Sequence, residues 1–434
     1  MNANRFATYS LTDMRVLQIL SSALKAVDPT EAVRLHLPTI KGNVHGLGIG
    51  KASIPMLTAL ADVMPLSSAL AISKHASSAS SSDYHPPLSM TPNLFPILLG
   101  GHPIPNFNSL RAGQHVLDFA SILNEDDTLV CLISGGGSAL MTAPNEGISL
   151  EDMQTLTSLL LASGARIDEI NILRRQLDRV KGGGLARATK AKVISLILSD
   201  VIGNPLEAIA SGLTYPDPTT KEDAIAVLKK YGIEDQTPNS IHGYLHETSP
   251  LANVEDGNWG KRVQNIIVGD NKLAANAALE QAKHEGFHAE ILTNELQGEA
   301  REVGLMLAKK LKDELSKRPR PFCLIAGGET TVTLKGNGKG GRNQELALAA
   351  ANELKGLKNI MLISLATDGE DGPTDAAGAV VTGESAQRAE SLGLFAADHL
   401  SRNDAYHFFQ GLGDLVKTGP SGTNVNDLVF LIAF

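Results

Sequence analysis

Short, continuous apolar runs recur along this chain and alternate with longer segments in which the apolar residues have helical spacing. The segments at 127–134 and 192–200 are rich in Val, Leu and Ile at their centres, and helical segments precede and follow them. Strands with this composition are buried on both faces, and they belong to parallel sheets whose connections are helices. The alternation therefore predicts an α/β fold with a parallel sheet that carries helices on both faces.

The length of the chain predicts two domains. It has 434 residues, and a single core rarely grows beyond about 250–300 residues. A polar, turn-rich stretch around 235–260 separates two groups of strands and helices, which gives domains at 1–250 and 251–434. The apolar run from 427 to 434 is a final strand, and the pattern leaves open whether that strand returns to the first domain.

Charge and hydropathy exclude two classes of partner. The chain has 38 basic and 47 acidic residues, a net charge of −9, without the basic stripe of a nucleic-acid binder. No apolar run reaches the ~20 residues of a membrane span, and the first residues carry no targeting signal. Cys131 and Cys323 lie in apolar runs, as reduced core thiols do. We expect a cytoplasmic protein without nucleic-acid or membrane partners, and whether it forms a homo-oligomer stays open.

Glycine-rich turns after the predicted strands are the first indication of a ligand. The segment GLGIGKAS puts Lys51 between a strand and a helix, but it matches neither the P-loop nor the pattern G-x-G-x-x-G. In SGGGSAL, consecutive backbone N–H groups can surround an anion and Ser138 adds a hydroxyl group, although such glycines also permit plain close packing. The residues predicted to bind phosphate, nucleotide or substrate in this half are Gly50, Ser134, Gly135, Gly136, Gly137, Ser138 and Lys181.

A basic, glycine-rich segment, KGNGKGGRNQE, precedes a predicted helix in the second half. The planar guanidinium of Arg342 suits a carboxylate or phosphate, and the N-terminus of a helix favours an anion. A solvated basic hairpin tip is the alternative. The ligand-binding residues predicted in this half are Gly327, Gly328, Glu329, Lys339, Gly340 and Gly341.

Carboxylates follow three of the predicted strands. Asp200 follows VISLIL, Glu329 lies in GGET, and Asp368 opens the segment TDGEDGP. An acid at the carboxyl end of a buried strand faces the ligand crevice, where it can hold Mg²⁺ or take a proton, although Asp is also common in plain turns. We predict these three as candidate metal ligands, with Asp200 the strongest. Together with the anion-binding turns they indicate phosphoryl transfer.

Eight segments, in order along the chain, resemble the class II glycerate 2-kinases, the family that carries the MOFRL domain. The segments are GIGKAS, GGHPIPN, LISGGGSAL, RRQLDRVKGGGLA, LILSDVIGNPLEAIASG, LIAGGETTVTLKGNGKGGRNQELAL, LATDGEDGPTDAAGAVV and GPSGTNVNDLVFLI. The resemblance implies a Rossmann-like N-terminal domain, a smaller α/β C-terminal MOFRL domain and an active site in the cleft between them.

The resemblance also implies an activity, the ATP-dependent phosphorylation of D-glycerate to 2-phosphoglycerate with Mg²⁺. The active-site lysine and arginine of the family fall on Lys51 and Arg342, and Asp200 lies in the family's SD segment, so these three form the predicted catalytic set. The chain departs from the family pattern at Leu213, where Pro is common, and at Asn204, where Asp is frequent and Asn is a poor metal ligand.

Two other functions remain open from the residues alone. In an NAD(P)H-dependent hydroxypyruvate reductase, VHGLGIGKAS would be a degenerate Rossmann turn and the basic residues of AISKH would face a 2′-phosphate, but the glycine pattern and the second-strand acid are absent. A non-catalytic sensor of sugar acids would bind anions without consuming ATP. Oxidation of NADPH and turnover of ATP distinguish the three functions.

Overall fold

The computed structural model describes residues 2–74, 89–90, 95–101, 104–247 and 259–434. These residues form two compact units. One consists of Pro29–Val268 and the other of Met1–Asp28 together with Gly269–Phe434. We call them the parallel-sheet unit and the mixed-sheet unit.

The described residues contain seventeen α-helices, numbered α1 to α17 in chain order. They are Met14–Ala26, Pro29–His36, Ser53–Val63, Phe107–Ser121, Gly137–Leu140, Leu150–Ala162, Ile167–Leu177, Gly184–Arg187, Lys221–Lys230, Asn239–His246, Trp259–Arg262, Asn271–His284, Ala300–Glu314, Arg342–Ala350, Ser385–Ser391, Ala396–Ser401 and Ala405–Leu412. Short 3₁₀ turns lie at Ala3–Phe6, Ile209–Ser211 and Glu234–Gln236.

The described residues also contain thirteen strands, numbered β1 to β13. They are Val44–Ile49, Ser68–Ser73, Ser89–Met90, Pro96–Leu99, Thr128–Ile133, Lys192–Leu198, Val263–Gly269, His288–Leu296, Phe322–Gly328, Ile360–Ala366, Gly378–Thr382, Leu415–Val416 and Asp427–Ala433.

The parallel-sheet unit has one sheet in the order β3-β4-β2-β1-β5-β6-β7. Strands β4, β2, β1, β5 and β6 pair in parallel, and β3 is antiparallel to β4 at one edge. This is the strand order of the doubly wound dinucleotide-binding folds, which reverses direction between β1 and β5. Ligands of such sheets bind outside the carboxyl ends of the strands at this reversal point.

Capping residues fix the helices around this sheet. Helices α4, α6 and α9 each begin with a capping box, in which the N-cap side chain and the side chain three residues later satisfy each other's backbone N–H groups. Helices α6, α7, α9 and α10 share an apolar core of their own, which we call the helical cluster. Its core includes Leu156, Leu173 and Ile241, all buried.

The mixed-sheet unit has a sheet in the order β12-β11-β10-β13-β9-β8. Strand β13 lies between β9 and β10 and is antiparallel to both, whereas β8 and β9 are parallel. Strands β9 and β10 therefore end at the edge where β13 begins. Helix α1 packs against α12, and this contact places the first residues of the chain in the mixed-sheet unit.

The predicted α/β fold, with a parallel sheet first and a smaller second α/β domain, is confirmed. The structure divides the chain elsewhere than at 250, because α1 joins the mixed-sheet unit and the parallel-sheet unit continues to Val268. The final strand lies inside the mixed sheet and does not return to the parallel one. Residues 248–258 of the expected boundary stretch lie outside the described residues. Among the described helices, none has the length and apolar character that a membrane crossing requires.

Candidate active site

Lys51 lies on the turn between β1 and α3, at the reversal point of the parallel sheet. Its backbone N–H donates to the carbonyl oxygen of Gly135 at 2.9 Å, and the N–H of Ala52 donates to Oγ of Ser134 at 2.9 Å. Gly50 has φ +116°, and a Cβ atom there would lie 2.4 Å from the carbonyl oxygen of Ser134. Only glycine fits this approach, so the turns after β1 and β5 are joined and present the exposed side chain of Lys51.

The turn after β5 contacts a backbone in an unusual conformation. Ser138, in the first turn of α5, shares a hydrogen bond with Ser211, with 2.8 Å between the two Oγ atoms. Residues 210–212 all have positive φ, at 48°, 59° and 65°, although two of them are not glycine. Left-handed Ala and Ser cost free energy and persist where the surroundings impose them, often at ligand sites. The anion-binding interpretation of this turn gains support from that neighbour.

Lys181 is held within the protein by a carboxylate. Its side chain is 2% exposed, Nζ forms an ion pair with Asp178, and Nζ also donates to the carbonyl oxygen of Met141 at 3.3 Å. Asp178 accepts a further hydrogen bond of 2.6 Å from Oγ1 of Thr142. Burial lowers the pKa of Lys181. The predicted phosphate contact of Lys181 stays a prediction, and its ammonium group already has a structural partner.

Asp200 lies two residues after the end of β6 and is half-buried. Strands β1, β5 and β6 are neighbours and run parallel, so their carboxyl ends lie along one edge of the sheet. The N–H of Val201 donates to Oγ of Ser199 at 3.2 Å, which fixes the backbone on either side of Asp200. Lys51, the turn at 134–138 and Asp200 therefore belong to one sheet edge.

Arg342 begins α14 in the mixed-sheet unit and lies between two carboxylates. Its Nε and Nη2 atoms donate to the two oxygens of Asp427, at 2.5 and 3.0 Å. Its Nη1 atom lies 2.6 Å from Oε1 of Glu329. Burial opposes the charge of Arg342, but Asp427 and Glu329 outweigh burial and raise its pKa. The arginine is thereby oriented at the edge where β9 ends and β13 begins.

A buried carboxylate caps the same helix. Asp371 accepts hydrogen bonds from the backbone N–H groups of Asn343 and Gln344, at 3.0 and 2.9 Å. Burial raises its pKa to about 7, against the effect of these two bonds. A Cβ atom on Gly341 would lie 2.4 Å from Asp371, so glycine is required there. The glycine run before α14 thus serves the approach of Asp371 to the helix N-terminus.

The other predicted residues of this half lie along the same segments. Gly327 and Gly328 end β9, and Gly328 pairs with Asp427 in the sheet. Lys339 donates its backbone N–H to Asp404 at 3.0 Å, and its Nζ atom lies 4.2 Å from the ring centroid of Tyr406. Asp368 follows β10 and accepts the N–H of Glu370 at 3.1 Å.

The predicted residues therefore form two groups, one in each unit. The parallel-sheet unit holds Gly50, Lys51, Ser134, Gly135, Gly136, Gly137, Ser138, Lys181 and Asp200, and the mixed-sheet unit holds Gly327, Gly328, Glu329, Lys339, Gly340, Gly341, Arg342 and Asp368. The candidate metal ligands are divided in the same way, since Asp200 belongs to the first group and Glu329 and Asp368 to the second.

Carboxylates outnumber the cation at Arg342, since Glu329 and Asp427 both pair with it and the charge of Asp368 acts on Asp427. Burial raises the pKa of Asp427, and the negative charge of Asp368 raises it further. One or two carboxylates with substrate phosphates are enough to hold Mg²⁺. Within the described residues, the one group of three closely spaced ligand side chains is Glu234, His242 and His246. It lies at a 3₁₀ turn and α10, and its nitrogen-rich set is unlike that of Mg²⁺.

The sequence analysis does not identify two residues that contact predicted ones, namely Ser211 beside Ser138 and Asp427 beside Arg342. Asp427 is the first residue of β13, and only the antiparallel pairing of this strand brings it beside the ends of β9 and β10. Ser211 lies in a segment whose left-handed backbone has no sequence pattern besides the following Gly212. An acid that opens a strongly apolar final strand is the signal that could have indicated Asp427.

Comparison with known proteins covers nearly the whole chain. Residues 15–246 match the family model described as a domain of unknown function, DUF4147, and residues 322–427 match the MOFRL family. A D-glycerate 2-kinase of Thermotoga maritima is 42% identical over 95% of this chain and 96% of its own length. A crystal structure of a glycerate kinase from the same organism has a TM-score of 0.86 at 41% identity, covering 97% of this chain and 99% of that one. A protein of Agrobacterium vitis named as a hydroxypyruvate reductase is 37% identical over 95% of this chain and 92% of its own length.

Proposed function

The chain belongs to the class II glycerate kinases, and on that premise we infer that it is an ATP-dependent glycerate 2-kinase. It transfers the terminal phosphoryl group of ATP to the 2-hydroxyl group of D-glycerate and releases 2-phosphoglycerate and ADP. The observation that carries this function is the 42% identity to a D-glycerate 2-kinase along almost the full length of both chains. The strand order and the joined glycine turns at the reversal point support it.

Lys51 is proposed to neutralise the phosphoryl group in transit. Its side chain is exposed on a turn that hydrogen bonds hold to the turn after β5. Phosphoryl transfer depends on positioning and on neutralisation of charge more than on covalent help from the protein. A lysine on a fixed turn supplies both without a P-loop.

Arg342 is proposed to act on the same ligand from the mixed-sheet unit. Its two hydrogen bonds to Asp427 fix the plane of the guanidinium group, and Glu329 pairs with Nη1. The side chain of Glu329 is 42% exposed, whereas the side chain of Asp427 is 7% exposed. We propose that Asp427 is the fixed partner and that an anionic ligand competes with Glu329 for Nη1.

Asp200 is proposed to accept the proton of the 2-hydroxyl group or to orient that group. It lies at the sheet edge that also presents Lys51. We further propose that Mg²⁺, when bound with ATP, neutralises phosphate charge and is held by Asp368, Glu329 or Asp200. The excess of carboxylates near Asp427 supports such a site in the mixed-sheet unit.

A reductase acting on hydroxypyruvate is the second candidate, because one relative carries that name. The strand order of the parallel sheet also occurs in dinucleotide-binding folds. The turn after β1 argues against a reductase, because it places Lys51 where a dinucleotide fold has glycine. Gly50 in the same turn lies close to Ser134. His75, one of the basic residues that this hypothesis uses, lies outside the described residues. Oxidation of NADPH by the protein with hydroxypyruvate, and no ADP release with glycerate, would support the reductase.

The kinase is tested by ADP release against a panel of 2-hydroxy acids, with D-glycerate expected as the preferred acceptor. The position of the phosphate is tested separately by coupling the product to enolase alone. Enolase consumes 2-phosphoglycerate, so a signal is expected without phosphoglycerate mutase. If the signal appears only after the mutase is added, the product is the 3-phosphate and the proposed position is wrong.

The proposed compartment is the cytoplasm. Cys131 and Cys323 are buried and free, and burial raises the pKa of each thiol to about 12. Two thiols of this kind are compatible with a reducing compartment. The oligomeric state remains open, and light scattering of the purified protein would establish it.

A further inference from the structure

A small cationic cavity lies between the turn after β5 and the helical cluster, all within the parallel-sheet unit. The centres of water-sized groups have about 20 Å³ available inside it, which is room for one or two such groups. The charged side chains in its wall are Arg174 and Lys181, and Ser138 and Thr142 add hydroxyl groups. Ser138 belongs to the glycine turn at the carboxyl end of β5, so the cavity adjoins the edge of the candidate active site.

The two cations in this wall differ in their partners. Lys181 is neutralised by Asp178, whose carboxylate also accepts bonds from Thr142, from the N–H of Ala143 at 3.2 Å and from the N–H of Val180 at 3.0 Å. The carboxylate oxygens of Asp178 therefore already have hydrogen-bond partners. Among the residues that the structure describes, Arg174 forms no ion pair, and its side chain makes one long hydrogen bond of 3.4 Å to Asn171.

The wall therefore carries one uncompensated positive charge. Burial lowers the pKa of Arg174. Burial also lowers the pKa of Lys181, and the positive charge of Arg174 lowers it by a smaller amount. Arg174 is half-buried, and a partly desolvated cation without a counter-ion is unfavourable, a cost that a bound anion relieves. The neighbouring Arg175 shows the contrast, because its Nε atom donates to Asp217 at 2.7 Å and its charge is balanced inside the protein.

The size of the cavity selects the anion. A volume of about 20 Å³ admits the two oxygens of a carboxylate, but not a triphosphate or a nucleobase. The guanidinium group offers parallel donors in the geometry of a carboxylate, and Ser138 contributes a hydroxyl group to the same cavity wall.

We propose that this cavity binds the carboxylate of the acceptor acid, with Arg174 as its main recognition residue. This inference rests on the proposed function, since it assigns one end of glycerate to a place beside the glycine turn. The 2-hydroxyl group, one carbon away, then lies next to the edge that holds Lys51 and Asp200. A cationic cavity of this size would favour a short 2-hydroxy acid, which has a carboxylate, over a neutral polyol, which has none.

The test compares Arg174→Met with Arg179→Met, which removes an exposed arginine of the same segment. Loss of charge-assisted hydrogen bonds of about 1.5–3 kcal/mol predicts that KM for D-glycerate rises ~10- to 100-fold in the first variant. KM for ATP should stay within about twofold of wild type, as should both constants in Arg179→Met. Arg174→Lys keeps the charge without the fork, and its KM should be intermediate.

The methyl ester of glycerate separates recognition from folding. Wild type should strongly prefer glycerate to the ester, and Arg174→Met should lose most of that preference. If the variant keeps the preference, or if its KM for glycerate stays within about twofold of wild type, the proposal is wrong. A rise in KM for ATP instead of glycerate would assign the cavity to a phosphate and would also overturn it.

Binding without ATP separates this proposal from the proposed function. Calorimetry with D-glycerate alone should show binding to wild type and to Arg179→Met, and ~10- to 100-fold weaker binding to Arg174→Met. If wild type releases no ADP but binds glycerate through Arg174, the kinase function fails and the carboxylate site stands. If wild type phosphorylates glycerate and Arg174→Met binds it equally well, the kinase stands and the site fails.

Discussion

At the scale of single residues, Lys51 and Arg342 are both positive but lie in different electrostatic settings. Lys51 has an exposed side chain on a turn, whereas the side chain of Arg342 is 31% exposed and is held by two carboxylates. A lysine could not replace this arginine, because the two bonds to Asp427 need the fork of a guanidinium group. These settings support the proposal that Lys51 acts on the moving phosphoryl group and that Arg342 holds a fixed one.

Replacement of Asp200 tests the proposed proton acceptor. Asp200→Asn removes the charge and keeps the shape, so kcat should fall by ~10²- to 10⁴-fold, the usual contribution of a positioned proton-transfer group. The melting temperature should change little because the side chain is only half-buried. Asp168→Asn, which alters an exposed carboxylate, is the matched control. Near-native turnover in Asp200→Asn would move the role to Asp368 or Glu329.

The two cysteines should be unreactive in the folded protein. Burial raises the pKa of Cys131 and of Cys323 to about 12, so almost no thiolate exists at neutral pH. A thiol reagent such as DTNB should label neither residue in the native protein and both after unfolding in guanidinium. Rapid labelling of either thiol under native conditions would show that its strand is accessible, contrary to the buried position described here.

At the scale of elements, the start of α14 is held by side chains from other segments. Asp371 supplies acceptors for two of its first N–H groups, Gly341 permits that approach, and Arg342 begins the helix beside Asp427. A helix end that is satisfied from another segment does not fray, so the arginine keeps its place. The buried carboxylate that achieves this is also one whose pKa burial raises.

The pH dependence of stability should report Asp371. Its folded-state pKa is raised to about 7 from 3.8, so the folded protein holds a proton that the unfolded chain releases near pH 4. Its contribution to stability is therefore complete below about pH 4 and is lost as the pH rises through about 7. Relative to Asp371→Asn, which cannot titrate, wild type should lose melting temperature between about pH 4 and about pH 7 and level off at higher pH.

The control for that experiment is Asp126→Asn, an exposed carboxylate whose replacement should leave the pH profile of wild type unchanged. Melting curves followed by circular dichroism at each pH provide the measurement. Identical pH profiles for wild type and Asp371→Asn would mean that Asp371 has an ordinary pKa in the folded protein.

At the scale of the whole molecule, the catalytic proposal requires residues of both units to act on one ligand. Lys51→Ala should reduce kcat more than it raises KM, because the charge on the moving phosphoryl group is greatest in the transition state. Arg342→Ala should impair both constants. The double variant should be little worse than the worse single variant, since groups that act as a unit are not additive. Fully additive losses in the free energy of activation would assign the two residues to separate ligands.

The sequence predicts the strand ends well and their arrangement less well. Glycine runs after apolar strands locate Lys51 and the turn at 134–138, because buried strands and their turns have a local composition. The partners of Arg342 could not be predicted, since Asp427 reaches it through the antiparallel placement of β13, a pairing between distant segments. The position of α1 against α12 depends on a long-range contact in the same way.

The division of the chain has a consequence for how this protein is made. The parallel-sheet unit, Pro29–Val268, is inserted between two parts of the mixed-sheet unit. During synthesis the parallel-sheet unit can fold as one continuous segment, whereas α1 cannot pack against α12 until α12 has left the ribosome. The mixed sheet can be completed only later, because β13, Asp427–Ala433, is a central strand between β9 and β10. Until translation passes these residues, β9 and β10 have no strand between them, so the Arg342 site is assembled after the Lys51 turn.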